Sequence, residues 1–143
     1  MASQGVTAFE GRLNLIPGLK CVTDLSTAGQ FCFVKMSADM TVALATDGTI
    51  PIGVLQNNTA VSPVASSAVP QAVEVAGVGS VTKLKLGGPV TYGQKLTAAA
   101  GGDGSATAVD AGTDYVAAIA LEGGSSGNII AAYLCGGTTL AAS

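Results

Sequence analysis

The chain has 143 residues, which suits one domain with a single hydrophobic core. It is 48% hydrophobic and only 10% charged, with 20 glycines, no histidine and no tryptophan; typical globular proteins carry about 25% charged residues. A net charge of −3 with scattered cations argues against nucleic acid as a direct partner, and no apolar run reaches the about 18 residues that predict a membrane span.

So few charges leave a lone monomer poorly solvated. We therefore expect part of the surface to be covered by copies of the chain or by a partner. The alternative is a surface of serine, threonine, glycine and alanine, which are small residues that do not form adhesive patches.

Residues 1–20 predict an extended N-terminal arm, and residues 21–143 a single β domain. Glycine and proline interrupt the arm, while its larger apolar residues alternate rather than following a helical period. A terminal segment frays unless it is docked. We therefore predict that Phe9, Leu13, Leu15 and Ile16 dock onto this domain or onto a neighbour, although the arm is also consistent with a first strand of the home sheet.

After the arm the chain reads as short strands separated by turn residues, a spacing typical of an all-β sandwich or barrel. The predicted strands are Phe31–Met36, Thr41–Ala45, Ile50–Gln56, Gln71–Ala76, Val81–Leu86, Gln94–Ala98, Ala106–Val109, Tyr115–Leu121 and Asn128–Leu134. The Asp-Gly pairs ending at Gly48 and Gly104 supply the positive φ angles of tight turns. Alanine-rich Gln94–Ala100 and Ala111–Leu121 leave short helices as an alternative.

Alternation along the strands predicts which faces are wet. Lys83 and Lys85 point to one side of their strand and Leu84 and Leu86 to the other, so that strand has one solvated face. The two last strands are apolar on both faces, which indicates central strands covered twice, or an interface strand.

Two motifs resemble catalytic ones. Ser125 lies in a G-x-S-x-G pattern, but a serine nucleophile needs a base and the chain has no histidine, so we interpret the segment as a hairpin loop. The segment from Gly88 to Lys95 approaches a phosphate-binding loop, yet Gln94 stands where the lysine belongs. We expect no catalytic residue, and a nucleotide or ester hydrolase remains only a remote alternative.

No cofactor or metal is expected. Asp103, Asp110 and Asp114 lack the spacing of a calcium-binding loop and are better explained as turn residues. The three cysteines contain no C-x-x-C pair, so buried thiols are the simplest interpretation, with a bridge between Cys21 and Cys32 left open.

Residues 41–135 resemble a family of tailed-bacteriophage capsid decoration proteins, the head-stabilising or cement proteins with a β-tulip-like domain. The segments that carry the resemblance are Pro51–Gln56, Ala72–Val81, Gly87–Thr97, Ala118–Leu121 and Gly127–Ile130. The fold class that we predict is therefore all-β, a compact β-tulip or barrel-like or sandwich domain of short antiparallel strands.

The resemblance implies a structural virion protein, made in the host cytoplasm, that binds the outer surface of the phage head. Its partners would be the major capsid protein and copies of itself, as a trimer or clustered protomers, with no nucleic acid or membrane partner. It would stabilise the shell against internal DNA pressure. The alternative is a self-assembling fibre, tail or surface-lattice module.

Overall fold

The computed structural model describes residues 13–21, 29–56, 71–109 and 114–140. Its strands, in chain order, are β1 (Lys20–Cys21), β2 (Phe33–Ala38), β3 (Thr41–Leu44), β4 (Gly53–Leu55), β5 (Gln71–Ala72), β6 (Val75–Ala76), β7 (Val81–Lys85), β8 (Lys95–Ala98), β9 (Ala106–Ala108), β10 (Tyr115–Ala120) and β11 (Ile129–Leu140). The described residues contain no helix, so the predicted all-β class is confirmed, and the alanine-rich segments form β8 and β10.

The strands form two sheets. The first sheet has the order β5-β1-β3-β2-β4-β6, and the second has the order β7-β11-β10-β8-β9. The pairings are antiparallel except for β1 with β3, which the sequence pattern did not indicate.

The first sheet curls into a half-barrel because its two outermost strands are neighbours in sequence. Only Val73 and Glu74 separate β5 from β6, which lie at opposite ends of the strand order. The Val73 N–H donates to the Leu19 carbonyl at 3.1 Å, and the Gln56 N–H donates to the Glu74 carbonyl at 2.8 Å. The predicted single strand Gln71–Ala76 is therefore two strands, because the segment crosses from one edge of the sheet to the other.

Two clusters of buried side chains result. One fills the inside of the curled sheet and includes Cys21, Val34 and Val42. The other lies between the sheets, where Phe33 meets Leu84 and many alanines of the second sheet. Because successive strand residues point to opposite faces, Phe33 and Val34 bury in different clusters, and β2 is covered on both sides.

The second sheet also curls, and small residues allow it. After β7 the chain pairs Leu86 with Ala106 of β9, and the Gly87 N–H donates to the Ala106 carbonyl at 2.7 Å. Inner positions such as Ala98 and Ala132 are fully or almost fully buried. Alanine at these positions keeps the enclosed volume small enough for a tightly curved sheet to close over it.

Candidate functional site: an adhesive surface

The arm residues predicted to make contacts fall into three groups. Phe9 lies outside the described residues. Leu13 and Leu15 have side chains that are 40% and 46% exposed. Ile16 instead packs against the cluster inside the first sheet, and its N–H donates to the Val75 carbonyl at 2.9 Å. The segment from Leu13 onward therefore lies on its own domain while it presents two leucines to the outside.

The outer face of the second sheet carries large apolar side chains. One row crosses four strands, because Tyr133 of β11 pairs with Val81 on one side and with Ile119 on the other, and Ile119 pairs with Lys95. Tyr133 and Ile129 are 41% and 49% exposed. β10 and β11 are central in the strand order, as predicted. Their outer apolar face is not covered within the described chain, so the alternative of an interface strand stays a prediction.

Lysines frame this apolar face. Lys83 and Lys95 are exposed, Lys85 is half-buried, and all three alternate with inward residues of β7 and β8. Glu122 lies close to β11, since its Oε1 accepts a hydrogen bond from the Ala131 N–H at 3.0 Å. Since the whole chain carries a net charge of −3, the remainder of the molecule is acidic, and this lysine-framed face is its basic side.

An apolar groove of about 140 Å³, the edge groove, continues this face past β7. It is lined by Leu13, Phe31, Val81 and Lys83, among others. The Lys83 ammonium lies 5.7 Å from the centre of the Phe31 ring, within the range of a cation–π contact. The arm and the second sheet thus share one surface.

Phe31 reaches this groove through an unfavourable backbone conformation. Its φ is +63°, in the left-handed region, where an L-residue costs roughly 1–2 kcal/mol. Its N–H donates to the Leu55 carbonyl and its own carbonyl accepts from the Lys85 N–H, both at 2.8 Å. Phe31 therefore bridges the two sheets, and this bridging holds its ring at the groove. Strain of this kind is concentrated at functional positions.

A second groove, of about 550 Å³, lies beside β2. It is lined by Lys35, Met36, Ile50, Ile52 and Tyr115, together with the turn after Asp47. Met36 and Ile50 are exposed. Residues of both sheets line this groove, since Tyr115 belongs to β10, and its walls are mainly apolar.

The two motifs that resemble catalytic ones are turns closed by side chains. The N–H and Oγ of Ser125 both donate to Asn128 Oδ1, at 2.8 and 3.1 Å. In the other motif the Thr91 N–H donates to Gln94 Oε1 at 2.7 Å. Gln94 thus occupies an amide that a phosphate-binding loop would offer to its ligand, and Ser125 lies in the predicted hairpin loop.

The aspartates that were predicted to lie in turns differ in their surroundings. Asp103 Oδ1 accepts hydrogen bonds from the Oγ and N–H of Ser105, and these lower the pKa of Asp103. Asp114 is buried just before β10, and Asp110 lies outside the described residues. Among the residues that the structure describes, no three cysteine or carboxylate side chains converge as a metal site would require.

Cys21 and Cys32 are buried, and Cys135 is exposed on β11. Burial raises the pKa of the Cys32 thiol to about 11, with Lys85 lowering it and Asp103 raising it further. In the described ranges, no helix has the length and apolarity needed to traverse a bilayer.

Sequence reasoning missed Phe31 as a surface residue. It placed Phe31 at the start of a strand, and nothing local signals a left-handed phenylalanine, because bulky residues avoid that conformation. The lysine frame did have a signal, in the alternation of Lys83 and Lys85 with leucines, and both lysines lie on the outer side as predicted.

The fold defines this chain as an all-β protein of two sheets, one of them a curled half-barrel. Among solved structures it is similar to the head fiber gp8.5 N base of bacteriophage phi29, with a TM-score of 0.58 and 18% identity, over 81% of this chain and 89% of that chain. No protein-family model and no curated protein matches the sequence. At this identity the similarity shows a shared fold.

Proposed function

We propose that this chain is a structural protein of a bacteriophage head, a decoration or cement protein that binds the outer surface of the shell and stabilises it against internal DNA pressure. The observation that carries the proposal is the shared fold with a phage head fiber base. The resemblance of residues 41–135 to capsid decoration proteins points the same way. The role is adhesive and assigns no catalytic residue.

In this proposal the arm makes the contact with the major capsid protein. Leu13 and Leu15 are exposed although they belong to a segment that is hydrogen-bonded to its own domain. Two apolar side chains held on an ordered backbone lose little conformational entropy on binding. Phe9 and the outward side of Ile16 extend this contact.

The energetics require only ordinary contacts. A standard interface buries about 1,600 Å² in total. When such contacts repeat over many shell positions, and when clustered protomers bind several sites together, avidity exceeds the affinity of one contact. A small protein can therefore hold neighbouring capsid subunits together.

Binding to emptied, expanded phage heads tests the proposal. The wild-type chain is expected to cosediment with heads and to raise the temperature at which they break open. Replacing Leu13 and Leu15 together by serine should weaken binding at least tenfold, since each leucine would otherwise bury apolar area. The matched control is Leu121→Ser, which alters a leucine that is 50% exposed and follows β10 rather than belonging to the arm.

Two outcomes would contradict the proposal. One is failure of the folded wild-type chain to bind heads in any expansion state. The other is an equal loss of binding in the Leu121→Ser control, which would place the contact outside the arm. Urea unfolding of each variant separates lost binding from lost folding.

A second candidate is the base of a fibre or a self-assembling lattice module. The observation that favours it is again the structural match, since that neighbour is described as a head fiber base. Electron microscopy of heads saturated with the chain distinguishes the two. A decoration protein should cover the shell at every equivalent position, whereas a lattice module should polymerise alone and leave heads bare.

A further inference from the structure

We propose that the hairpin tip between β2 and β3 of one copy docks in the edge groove of a second copy, with Met40 entering the groove and Asp39 facing Lys83. The contact is head-to-tail, because the tip belongs to the first sheet and the groove to the edge of the second. It concerns self-association alone and holds whether or not the chain binds a phage head.

Backbone strain marks both halves of this contact. Phe31 and Met40 are the two described non-glycine residues with positive φ, at +63° and +51°. Neither is of a type that favours the left-handed region. One forms a wall of the edge groove, and the other is a 48% exposed methionine at the end of a hairpin. Phe31 is partly buried against the cluster between the sheets, and Met40 is exposed; strain of this kind is concentrated at functional positions.

The shapes are compatible. The edge groove has a volume of about 140 Å³, which leaves room for the four heavy side-chain atoms of one methionine. Methionine has rotatable bonds and a polarisable sulfur, so it fits irregular apolar gaps and packs well against an aromatic ring such as that of Phe31.

The charges are complementary as well. Asp39, beside Met40, is exposed, and so is Lys83 at the groove. The lysine-framed face is basic on a chain of net charge −3, so it attracts the acidic remainder of another copy. Two such faces brought together would instead oppose six ammonium groups, which disfavours a symmetric face-to-face dimer.

The outer face of the second sheet is too small to form a standard interface by itself. Four strands about 4.8 Å apart and five residues long at about 3.3 Å each give the second sheet a face of roughly 300 Å² in projection. That is less than half of the about 800 Å² per partner in a standard interface. Head-to-tail contacts use the tip and the groove of every protomer, so a closed ring buries two surfaces per copy.

The test is self-association without phage particles, measured by sedimentation equilibrium at low salt. Lys83→Glu and Asp39→Lys should each raise the dissociation constant about tenfold or more, since each opposes like charges at the contact. An equimolar mixture of the two variants should recover association. When the tip of one variant meets the groove of the other variant, the two charges at the contact are opposite. Asp47→Lys makes the same charge change as Asp39→Lys at an exposed residue beyond the far end of β3, and it should have no effect.

Met40→Asn gives an independent readout. Asparagine tolerates the left-handed region better than methionine, so this variant should unfold at the same or higher urea concentration while associating at least tenfold more weakly. The proposal is overturned if the wild-type chain is a monomer at millimolar concentration, if the charge-swapped mixture fails to associate, or if Asp47→Lys weakens association as much as Asp39→Lys. Leu13 lines the edge groove and is also the proposed contact of the arm, so head binding is measured separately by cosedimentation, and failure of that assay leaves the self-association results unchanged.

Discussion

The backbone N–H of Phe33 in β2 donates a hydrogen bond of 2.7 Å to the carbonyl oxygen of Gly104, in the turn between β8 and β9. The Gly104 N–H in turn donates to the carbonyl of Ala45, at 3.2 Å. A turn of the second sheet is thereby hydrogen-bonded to two neighbouring strand ends of the first. These two hydrogen bonds join the two sheets beside the buried Phe33 side chain.

Gly104→Ala should strongly weaken the hydrogen bonds that Gly104 makes between the two sheets. Gly104 has a φ of +75°, and an added Cβ would lie 2.6 Å from the Phe33 carbonyl oxygen and 2.9 Å from Cys32 Cβ. Left-handed strain and overpacking together predict a loss of about 2–5 kcal/mol in the free energy of unfolding. Urea denaturation measures it.

The matched control is Gly48→Ala. Gly48 has a φ of +77°, but a Cβ there meets nothing within 4 Å. Gly48→Ala should lower the free energy of unfolding only by the left-handed backbone strain, about 1–2 kcal/mol. Equal losses in the two variants would show that the close approach at Phe33 contributes nothing.

Thr82 and Thr97 should respond oppositely to valine. Both are 2% exposed, but Thr82 Oγ1 lies 2.8 Å from Gln56 Nε2, while Thr97 Oγ1 has no hydrogen-bond partner within the described ranges. Thr82→Val should lower the free energy of unfolding by about 1–3 kcal/mol. Thr97→Val removes an unsatisfied hydroxyl and should leave stability unchanged or raise it by up to about 1 kcal/mol. A destabilised Thr97→Val variant would contradict this account.

Cys32 makes stability fall at alkaline pH. Burial raises the pKa of its thiol from 9.0 to about 11, so the folded state keeps a proton that the unfolded chain releases. The contribution of this protonated thiol to the free energy of unfolding is complete below pH 9. It is lost as the pH rises toward 11, and the free energy of unfolding then falls by up to about 1.4 kcal/mol per pH unit. The measurement is the difference in unfolding free energy between wild type and Cys32→Ala across this range, which cancels lysine titration. Parallel pH curves for the two proteins would refute the assignment.

Asp103 should titrate according to its bonds with Ser105. The Ser105 hydroxyl is the main cause that lowers the pKa of the Asp103 carboxyl, followed by the Ser105 N–H. In Ser105→Ala the pKa should rise toward its ordinary value of 3.8, as measured by NMR titration of the carboxyl carbon. Ser125→Ala, which removes a hydroxyl from another turn, should leave the pKa of Asp103 unchanged. A carboxyl with a lowered pKa stabilises the fold at pH values above its ordinary pKa, and this stabilisation is lost as the pH falls. Ser105→Ala should therefore also reduce the dependence of the free energy of unfolding on pH in the acid range.

Local patterns were sufficient to predict most of the strands. Alternation is a property of consecutive residues, so the outward side of Lys83 and the burial of Leu84 followed from the sequence. The Asp-Gly turns likewise placed Gly48 and Gly104 at positive φ, as the structure has them. The functional assignment of Phe9, Leu13, Leu15 and Ile16 stays a prediction.

The pairing of distant strands was beyond the reach of such patterns. Gln71–Ala76 looks like one strand, yet it splits because Leu19 lies on one side of it and Gln56 on the other. Ile16 is apolar like Leu15, but only the position of β6 decides that one side chain packs inward and the other stays exposed.

The amino-acid order by itself determined the class of this protein: short β-strands, tight glycine turns, too few charges for a well-solvated surface, and no histidine for ordinary acid–base chemistry. Only the tertiary structure decided where the candidate contact surface lies. Leu13, Phe31 and Val81 line one groove although they are far apart in the chain. The reason is physical: side-chain direction is set by neighbouring backbone angles, whereas a groove forms where sheet closure brings separate segments together.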